Sequence, residues 1–286
     1  MNIMRNSNNK QEVQEDGVRE QYFSHSIFKT LSDIRFFYEC MSGIDDTSTI
    51  LVVKGEINIY WKIFESISNT VDSIIILLEK GRVNDSLALM RKFNDAVITS
   101  VYILVLIKKG EIDFLDLNIE YTNIYDNILN QWVNGEACLT EKKMIEKKDD
   151  EYKMNFYLTK IRKYNDVLDR LLFTKKNQKL YGHARSSFND NVHYNNLESF
   201  RWNNDVFLDD ESCLSVLSQA EKAFKLILTI QFAYITVLHP MALKTDDVGS
   251  CAAAPFAEEI FNNYIAPENV ELANYLKHCS FLTFEE

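Results

Sequence analysis

Glycine and proline are scarce in this chain, and this limits the places where a helix has to end. The 286 residues include eight glycines and three prolines, while 46% of them are hydrophobic. Because these two residue types are the strongest local breakers of regular structure, long helices are predicted. At this length one large helical domain and two closely packed halves are both allowed.

Apolar residues recur at intervals of three and four, which is the pattern of amphipathic helices. The first stripe covers residues 23–41, and the second covers residues 57–78 and ends at Gly81, where a left-handed residue is expected. A third helix is predicted over residues 84–109, with Asn84 as its N-cap. The second and third helices are predicted to form the centre of the bundle.

The pattern continues over residues 112–133 and 140–173, where a run of charged residues is interpreted as a solvated face. It fails over residues 174–209, where asparagine, serine and histidine collect. This segment is predicted to be irregular and to hold the functional site. Another helix follows over residues 214–235 and is stopped at Pro240.

Two short helices are predicted near the end of the sequence, around residues 254–264 and 268–278, with Pro267 in the first turn of the second. The predicted fold class is therefore all-α, a multi-helix bundle with short C-terminal capping helices. The domain prediction is a disordered leader at 1–20, a helical bundle domain at 21–240, and a C-terminal helical cap at 241–286 that packs on the bundle.

The charge and the cysteines indicate a cytoplasmic protein. The net charge of −11 makes the average surface repel phosphate, so that any nucleic-acid site must be local. The five cysteines are scattered and contain no C-x-x-C pair, which favours reduced thiols. The first residues lack the apolar core of a signal peptide, and the longest apolar run, residues 101–107, is far shorter than a membrane span.

Several kinds of chemistry lack their motifs in this sequence. No histidine has a glutamate three residues before it, as di-iron bundles require. The P-loop, the dinucleotide-binding glycine motif, the HExxH zinc motif and the GxSxG elbow are also missing. We therefore predict no metal and no cofactor.

One segment, LYGHARSSFNDNVHYNN at residues 180–196, gathers side chains suited to phosphate chemistry. A histidine can take a proton from a ribose hydroxyl, an arginine can hold the phosphate, and amides can position both. Three lysines upstream make a positive island, with no acid between Asp169 and Asp190. The candidate residues are His183, Arg185, Asn189, Asn191 and His193, with Lys175, Lys176 and Lys179 before them. A capping network that fixes a loop is the alternative for the same cluster.

A second polar feature lies in the third predicted helix, where Arg91 and Asp95 are spaced to share one face. Either the two side chains pair on the surface, or they project into the bundle. A buried pair would orient a neighbouring helix or a ligand.

Three segments resemble a poorly characterised bacterial branch of the HEPN superfamily: LALMRKFNDAVITSVYIL, SSFNDNVHYN and APFAEEIFNNYIAPENVELANYLK. The resemblance implies an all-α bundle, homodimerisation, and RNA cleavage or RNA binding in toxin-antitoxin and phage-defence systems. It further implies metal-independent cleavage by an arginine and a histidine at a cleft shared by two subunits. Seven residues separate Arg185 from His193, more than the family motif has, and Asp95 stands where the family has glutamate.

The resemblance also implies roles for individual residues. His193 would be the base or the 2′-hydroxyl contact and Arg185 the phosphate clamp, both catalytic. Asn189 and Asn191 would position the substrate, with Arg91 and Asp95 as internal support, and Lys179 and His183 add to substrate binding through the positive island.

Two functions stay open at this point. The first is a metal-independent endoribonuclease or RNA-binding effector in phage defence or a toxin-antitoxin system. The alternative is a non-catalytic helical sensor or adaptor that binds a nucleotide or a partner protein from the same operon. Whether the chain is an enzyme is undecided, and a bundle that binds a small molecule ranks last.

Overall fold

Every regular element in the described part of this computed structural model is a helix, which confirms the predicted all-α fold class. The structure describes residues 17–42, 59–109, 156–192, 202–203, 210–238, 240–243 and 253–279. Its helices, numbered in chain order, are α1 (17–23), α2 (Ile27–Ser42), α3 (Ile59–Glu79), α4 (Val83–Lys109), α5 (Phe156–Arg162), α6 (Asp166–Leu172), α7 (Lys175–Val192), α8 (Asp210–Leu238), α9 (Ala253–Ile260) and α10 (Val270–Cys279). A 3₁₀ turn at Pro240–Leu243 follows α8, and a π-helical turn at Phe261–Ile265 follows α9.

The long helices α3 and α4 form a hairpin whose turn is set by Gly81. Gly81 has a φ of 69°, in the left-handed region that glycine adopts without strain. Its N–H donates to the carbonyl of Leu78, and the N–H of Arg82 donates to the carbonyl of Leu77 at 2.8 Å. This pair of bonds is the Schellman motif that closes a helix C-terminus. The predicted end of the second helix is confirmed.

Helix α8 lies at the centre of the bundle. Residues 226–236 are all buried, so this helix is surrounded on every side, and it contacts α2, α4, α6, α7 and α10. The prediction that α3 and α4 form the centre is therefore wrong for α3, which leaves Ile76 half exposed. Helices that are apolar all round belong in a core, and α4 together with α8 fills that place.

Much of the segment that was predicted to be irregular, residues 174–209, is helical and forms α7. Eighteen residues form one continuous helix there. The apolar pattern fails because only Tyr181, Phe188 and Asn191 of this helix are buried, and one of these is polar. Helix α7 packs against both α4 and α8.

Several predicted boundaries differ from the structure. Residues 17–20, placed in the disordered leader, are helical, and Val18 is buried. Phe23 is 43% exposed and precedes α2. Asn84 lies inside the first turn of α4, because the helix already begins at Val83.

At the C-terminus both short helices are present, but Asn269 caps α10 through its side-chain oxygen, so Pro267 precedes the first turn. Helix α9 packs on α2, and α10 packs on α8 and α6. The predicted helix over residues 112–133 and the first part of the charged stretch, through residue 155, lie outside the described residues, as do residues 1–16. No described helix is long and apolar enough to cross a membrane.

We expect Gly81→Ala to lower the free energy of unfolding by about 1 kcal/mol or more, because alanine is strained at a positive φ. Urea denaturation of the full chain measures this. Gly17→Ala is the matched control, since a Cβ at Gly17 meets no atom within 4 Å and its φ is ordinary. Equal losses in both variants would contradict the role given to Gly81.

Candidate functional site

The outward face of α7 carries a row of three lysines and one histidine. Lys175, Lys176, Lys179 and His183 are all exposed. Since an α-helix turns about 100° per residue, these four side chains fall within an arc of about 100°. None of them has a carboxylate partner in the described part of the chain, and Asp169, the nearest acid upstream, is paired with Arg162. The predicted positive island is therefore a continuous stripe on one helix face.

Arg185 lies on a different side of α7. It is half buried and borders a narrow gap between α4, α7 and α8 that is too small to hold a water molecule, together with Asn94 and Tyr181. Burial raises the pKa of Tyr181 to about 12, against the opposing effects of the Asn94 side chain and the charge of Arg185. The charge of Asp95 raises this pKa further, which places both Arg185 and Asp95 near the same ring.

Of the two predicted positioning amides, Asn191 has a structural role. It is buried, and its side-chain nitrogen donates to the carbonyl of Ser187 at 2.6 Å. Its backbone carbonyl accepts from the Asn84 side chain at 3.4 Å, joining the end of α7 to the start of α4. The side-chain oxygen of Asn189 is buried without a hydrogen-bond partner among the described residues.

A further amide completes this junction from a distant part of the chain. The side-chain oxygen of Asn203 accepts from the backbone N–H of Asp85 at 3.2 Å, and its nitrogen donates to the Asp85 carboxylate at 2.8 Å. Asn203 therefore satisfies one of the unpaired N–H groups at the start of α4. The sequence pattern around Asn203 does not indicate this role, because its partner is 118 positions away.

Arg91 and Asp95 lie on the surface of α4, as in the first of the two alternatives. Their side chains are 37% and 44% exposed, and Arg91 Nε is 3.7 Å from the Asp95 carboxylate. A pair with this exposure contributes less than about 1 kcal/mol to stability. Both residues line an open groove of about 600 Å³ between α3 and α4.

His193 lies outside the described residues, directly after the end of α7. Its predicted meeting with Arg185 stays a prediction. The structure pairs Arg91 with Asp95 at the groove between α3 and α4, and it places Lys179 and His183 on the outward face of α7.

The densest cluster of titratable side chains in the described residues surrounds Glu221 and was missed by the sequence analysis. Glu221 is 7% exposed in the middle of α8. Its carboxylate accepts from Ser26 at 2.7 Å and from Thr30 at 2.9 Å, and Lys225 Nζ lies 2.8 Å away. We call these four residues and His25 the Glu221 junction.

The π-helical turn reaches the edge of the Glu221 junction through Tyr264. The Tyr264 hydroxyl donates to the Asp33 carboxylate, and Lys225 Nζ lies 5.5 Å from the centre of the Tyr264 ring. Burial raises the pKa of Tyr264, and the hydrogen bond with Asp33 raises it further. The junction thus connects α2, α8 and the segment after α9.

The ionised form of Glu221 is favoured despite its burial. Burial alone would raise the pKa of this carboxyl, but hydrogen bonds from Lys225, Ser26 and Thr30 and the charge of Lys225 hold it below its usual value. The sequence did contain a signal for this residue. Glu221 stands between Leu217 and Phe224, at helical spacing, on a face whose other members are buried.

Ser218, His25 and Glu221 resemble a catalytic triad in composition only. The backbone N–H of Ile27 donates to His25 Nδ1 at 3.1 Å, which leaves the ring proton on Nε2. His25 Nε2 therefore donates to Ser218 Oγ at 3.0 Å, while Ser218 donates to the carbonyl of Leu214. The Glu221 oxygen is 3.9 Å from His25 Nδ1, beyond hydrogen-bond distance. A triad base must accept the serine proton, and this imidazole cannot.

No known protein family, no curated protein and no solved structure matches this chain. Within the described ranges, no group of three histidine, cysteine, aspartate or glutamate side chains is placed to hold a metal ion.

We expect the free energy of unfolding to fall as the pH drops below about 6.5, and the His25→Gln variant to lose part of this dependence. Burial lowers the pKa of His25 from its ordinary value of 6.5, against the opposing effect of Glu221, and Lys225 lowers it further. The unfolded chain therefore binds the proton more tightly, so that stability is lost with falling pH. Urea denaturation between pH 7 and pH 5 measures the slope.

His278→Gln is the control for this slope, because His278 is exposed at the end of α10. It is expected to keep the slope of the wild type. If His25→Gln also keeps it, the account of the Glu221 junction is wrong.

Proposed function

We propose that this chain is a helical RNA-binding protein that contacts the phosphate backbone through the outward face of α7. The observation that carries the proposal is the row of exposed lysines, Lys175, Lys176 and Lys179, continued by His183, on a chain with a net charge of −11. An unopposed cationic stripe on an acidic protein is a local site for a polyanion.

The composition of the stripe favours single-stranded RNA over a small anion. Lysines at successive turns are about 6 Å apart along the helix, close to the spacing of phosphates in an extended strand. Binding through them releases counterions and is therefore salt-dependent. The HEPN-like resemblance extends the proposal to a homodimeric effector in phage defence or a toxin-antitoxin system.

Endoribonuclease activity is the finer part of the proposal and depends on His193 and Arg185. Arg185 lies half buried on another side of α7 from the lysines, and the HEPN-like resemblance gives it the role of phosphate clamp. His193 follows α7 immediately in the sequence. In this mechanism the His193 imidazole takes the 2′-hydroxyl proton, and the 2′-oxygen attacks phosphorus. The bond from phosphorus to the 5′-oxygen breaks, the 5′-oxygen takes a proton from water, and a 2′,3′-cyclic phosphate remains.

The triple variant Lys175→Glu, Lys176→Glu, Lys179→Glu is expected to weaken binding of a fluorescent single-stranded RNA by about tenfold or more at about 50 mM salt. For the wild type, fluorescence anisotropy across a salt series should give a slope of about −2 in log affinity against log salt, since each of three cations contributes about −0.7. The triple variant should lose this slope.

The control for charge reversal is Lys80→Glu, Lys222→Glu, Lys277→Glu, which changes the net charge equally at exposed lysines outside α7. It is expected to bind RNA nearly as the wild type does. Equal weakening in the two triple variants, or no RNA binding by the wild type, would overturn the proposed surface.

Expression of the wild type in a bacterial host is expected to slow growth and fragment bulk RNA, whereas His193→Ala should do neither. The purified variant should still bind RNA, because the lysine stripe is intact. Cleavage by the wild type should persist with a metal chelator present. His278→Ala serves as the control, and equal behaviour of wild type and His193→Ala discards the nuclease while leaving RNA binding to its own test.

A non-catalytic sensor or adaptor is the second candidate, and the amide junction favours it. The side-chain nitrogen of Asn84 in α4 donates to the backbone carbonyl of Asn191 in α7, and Asn203, which lies outside α7, bonds to Asp85 at the start of α4. The same residue types that indicate a phosphate site in the sequence thereby act as structural connections. A wild type that neither binds nor cleaves RNA would leave this candidate in place.

A further inference from the structure

An open groove lies between α3 and α4, apart from the proposed RNA surface on α7. Its volume is about 600 Å³, and a smaller depression of about 310 Å³ adjoins it along the same two helices. Both share Lys62, Ser66 and Lys92, so that they form one continuous feature, which we call the α3–α4 groove.

The walls of this groove have the spacing and the small side chains that admit a third helix. On α3 the lining residues recur every three or four positions, and α4 shows the same recurrence. Eleven residues of helix span about 16 Å, or three turns. Small side chains on both walls let another helix approach closely, as ridges of one helix pack into the grooves of its neighbours. The wall residues are Lys62, Ser66, Asn69 and Ser73 on α3, and Ala88, Lys92, Ala96 and Thr99 on α4.

The floor is apolar and the rim is positively charged. Ile63 and the two alanines supply the apolar surface, while Lys62, Arg91 and Lys92 stand around it. The groove also contains two carboxylates. Asp95 forms an ion pair with Arg91, and Glu65 lines the smaller depression. The local balance is positive on a chain whose net charge is −11.

We propose that the α3–α4 groove binds an acidic amphipathic helix of a partner protein. The apolar stripe of such a helix would cover Ile63 and the alanines, and its flanking carboxylates would face the cations of the rim. The proposal is independent of RNA binding, which uses α7.

The probe is a synthetic fluorescent peptide of about 15 residues, with apolar residues at i, i+3, i+4 and i+7 flanked by glutamates. A second peptide keeps the apolar stripe and carries lysines in place of the glutamates. Anisotropy with the full chain should show the acidic peptide binding at least about tenfold more tightly, because only its charges complement the rim.

Two variants and two matched controls locate the binding. Lys92→Glu reverses a rim charge, and Ser66→Trp fills the groove from an exposed position. Each should weaken the acidic peptide by about fivefold or more. Lys80→Glu and Ser215→Trp make the same changes at exposed positions outside the groove and should leave binding unchanged.

Three results would overturn the proposal. They are equal binding of the two peptides, no binding of the acidic peptide, and equal effects of the groove variants and their controls on peptide affinity. A concentration-dependent dimer that Lys92→Glu dissociates would assign the groove to a second copy. Displacement of the peptide by RNA would assign it to nucleic acid. Lys92→Glu leaves α7 intact, so this variant should keep the RNA affinity of the wild type. The test of peptide binding is therefore separate from the test of RNA binding.

Discussion

The bundle depends on a charge held in its interior at Glu221. A carboxylate in the middle of a core helix would be unfavourable without partners, and here three donors surround it. Removing one partner of such an arrangement typically costs about 3–5 kcal/mol, because the remaining charge stays buried. The donors come from both α2 and α8, so the relative position of these helices is specified by a polar contact as well as by packing.

Helix α8 connects the Glu221 junction to the proposed binding face on α7. Because α8 contacts both α4 and α7, its packing in the centre of the bundle helps to position α7. The contact between α4 and α7 is unusually polar. Asn84 and Asn94 on α4, and Tyr181 and Asn189 on α7, each have a buried polar side-chain atom at or near these two helices' packed faces.

Apolar spacing predicted α2, α3, α4 and α8, because each of these helices buries a regular stripe. It failed for α7, where a polar residue, Asn191, takes one of the few buried positions. It also failed to locate the Glu221 junction, since Ser26 lies 195 residues from Glu221 in the sequence. Contacts between such distant residues are set by the packing of whole helices, which periodicity along the chain does not encode. The sequence predictions for the candidate site also succeeded only in part. Lys179 and His183 are exposed, as a binding role requires, whereas Asn191 is buried in the fold.

Photo-crosslinking of a single-stranded RNA to the full chain, followed by mass spectrometry of the crosslinked peptides, tests the central claim most directly. The account predicts crosslinks concentrated in residues 175–186, on the outward face of α7, and their loss as the salt concentration rises. Crosslinks confined to other helices, or a yield no greater than that of an unrelated acidic protein, would contradict it.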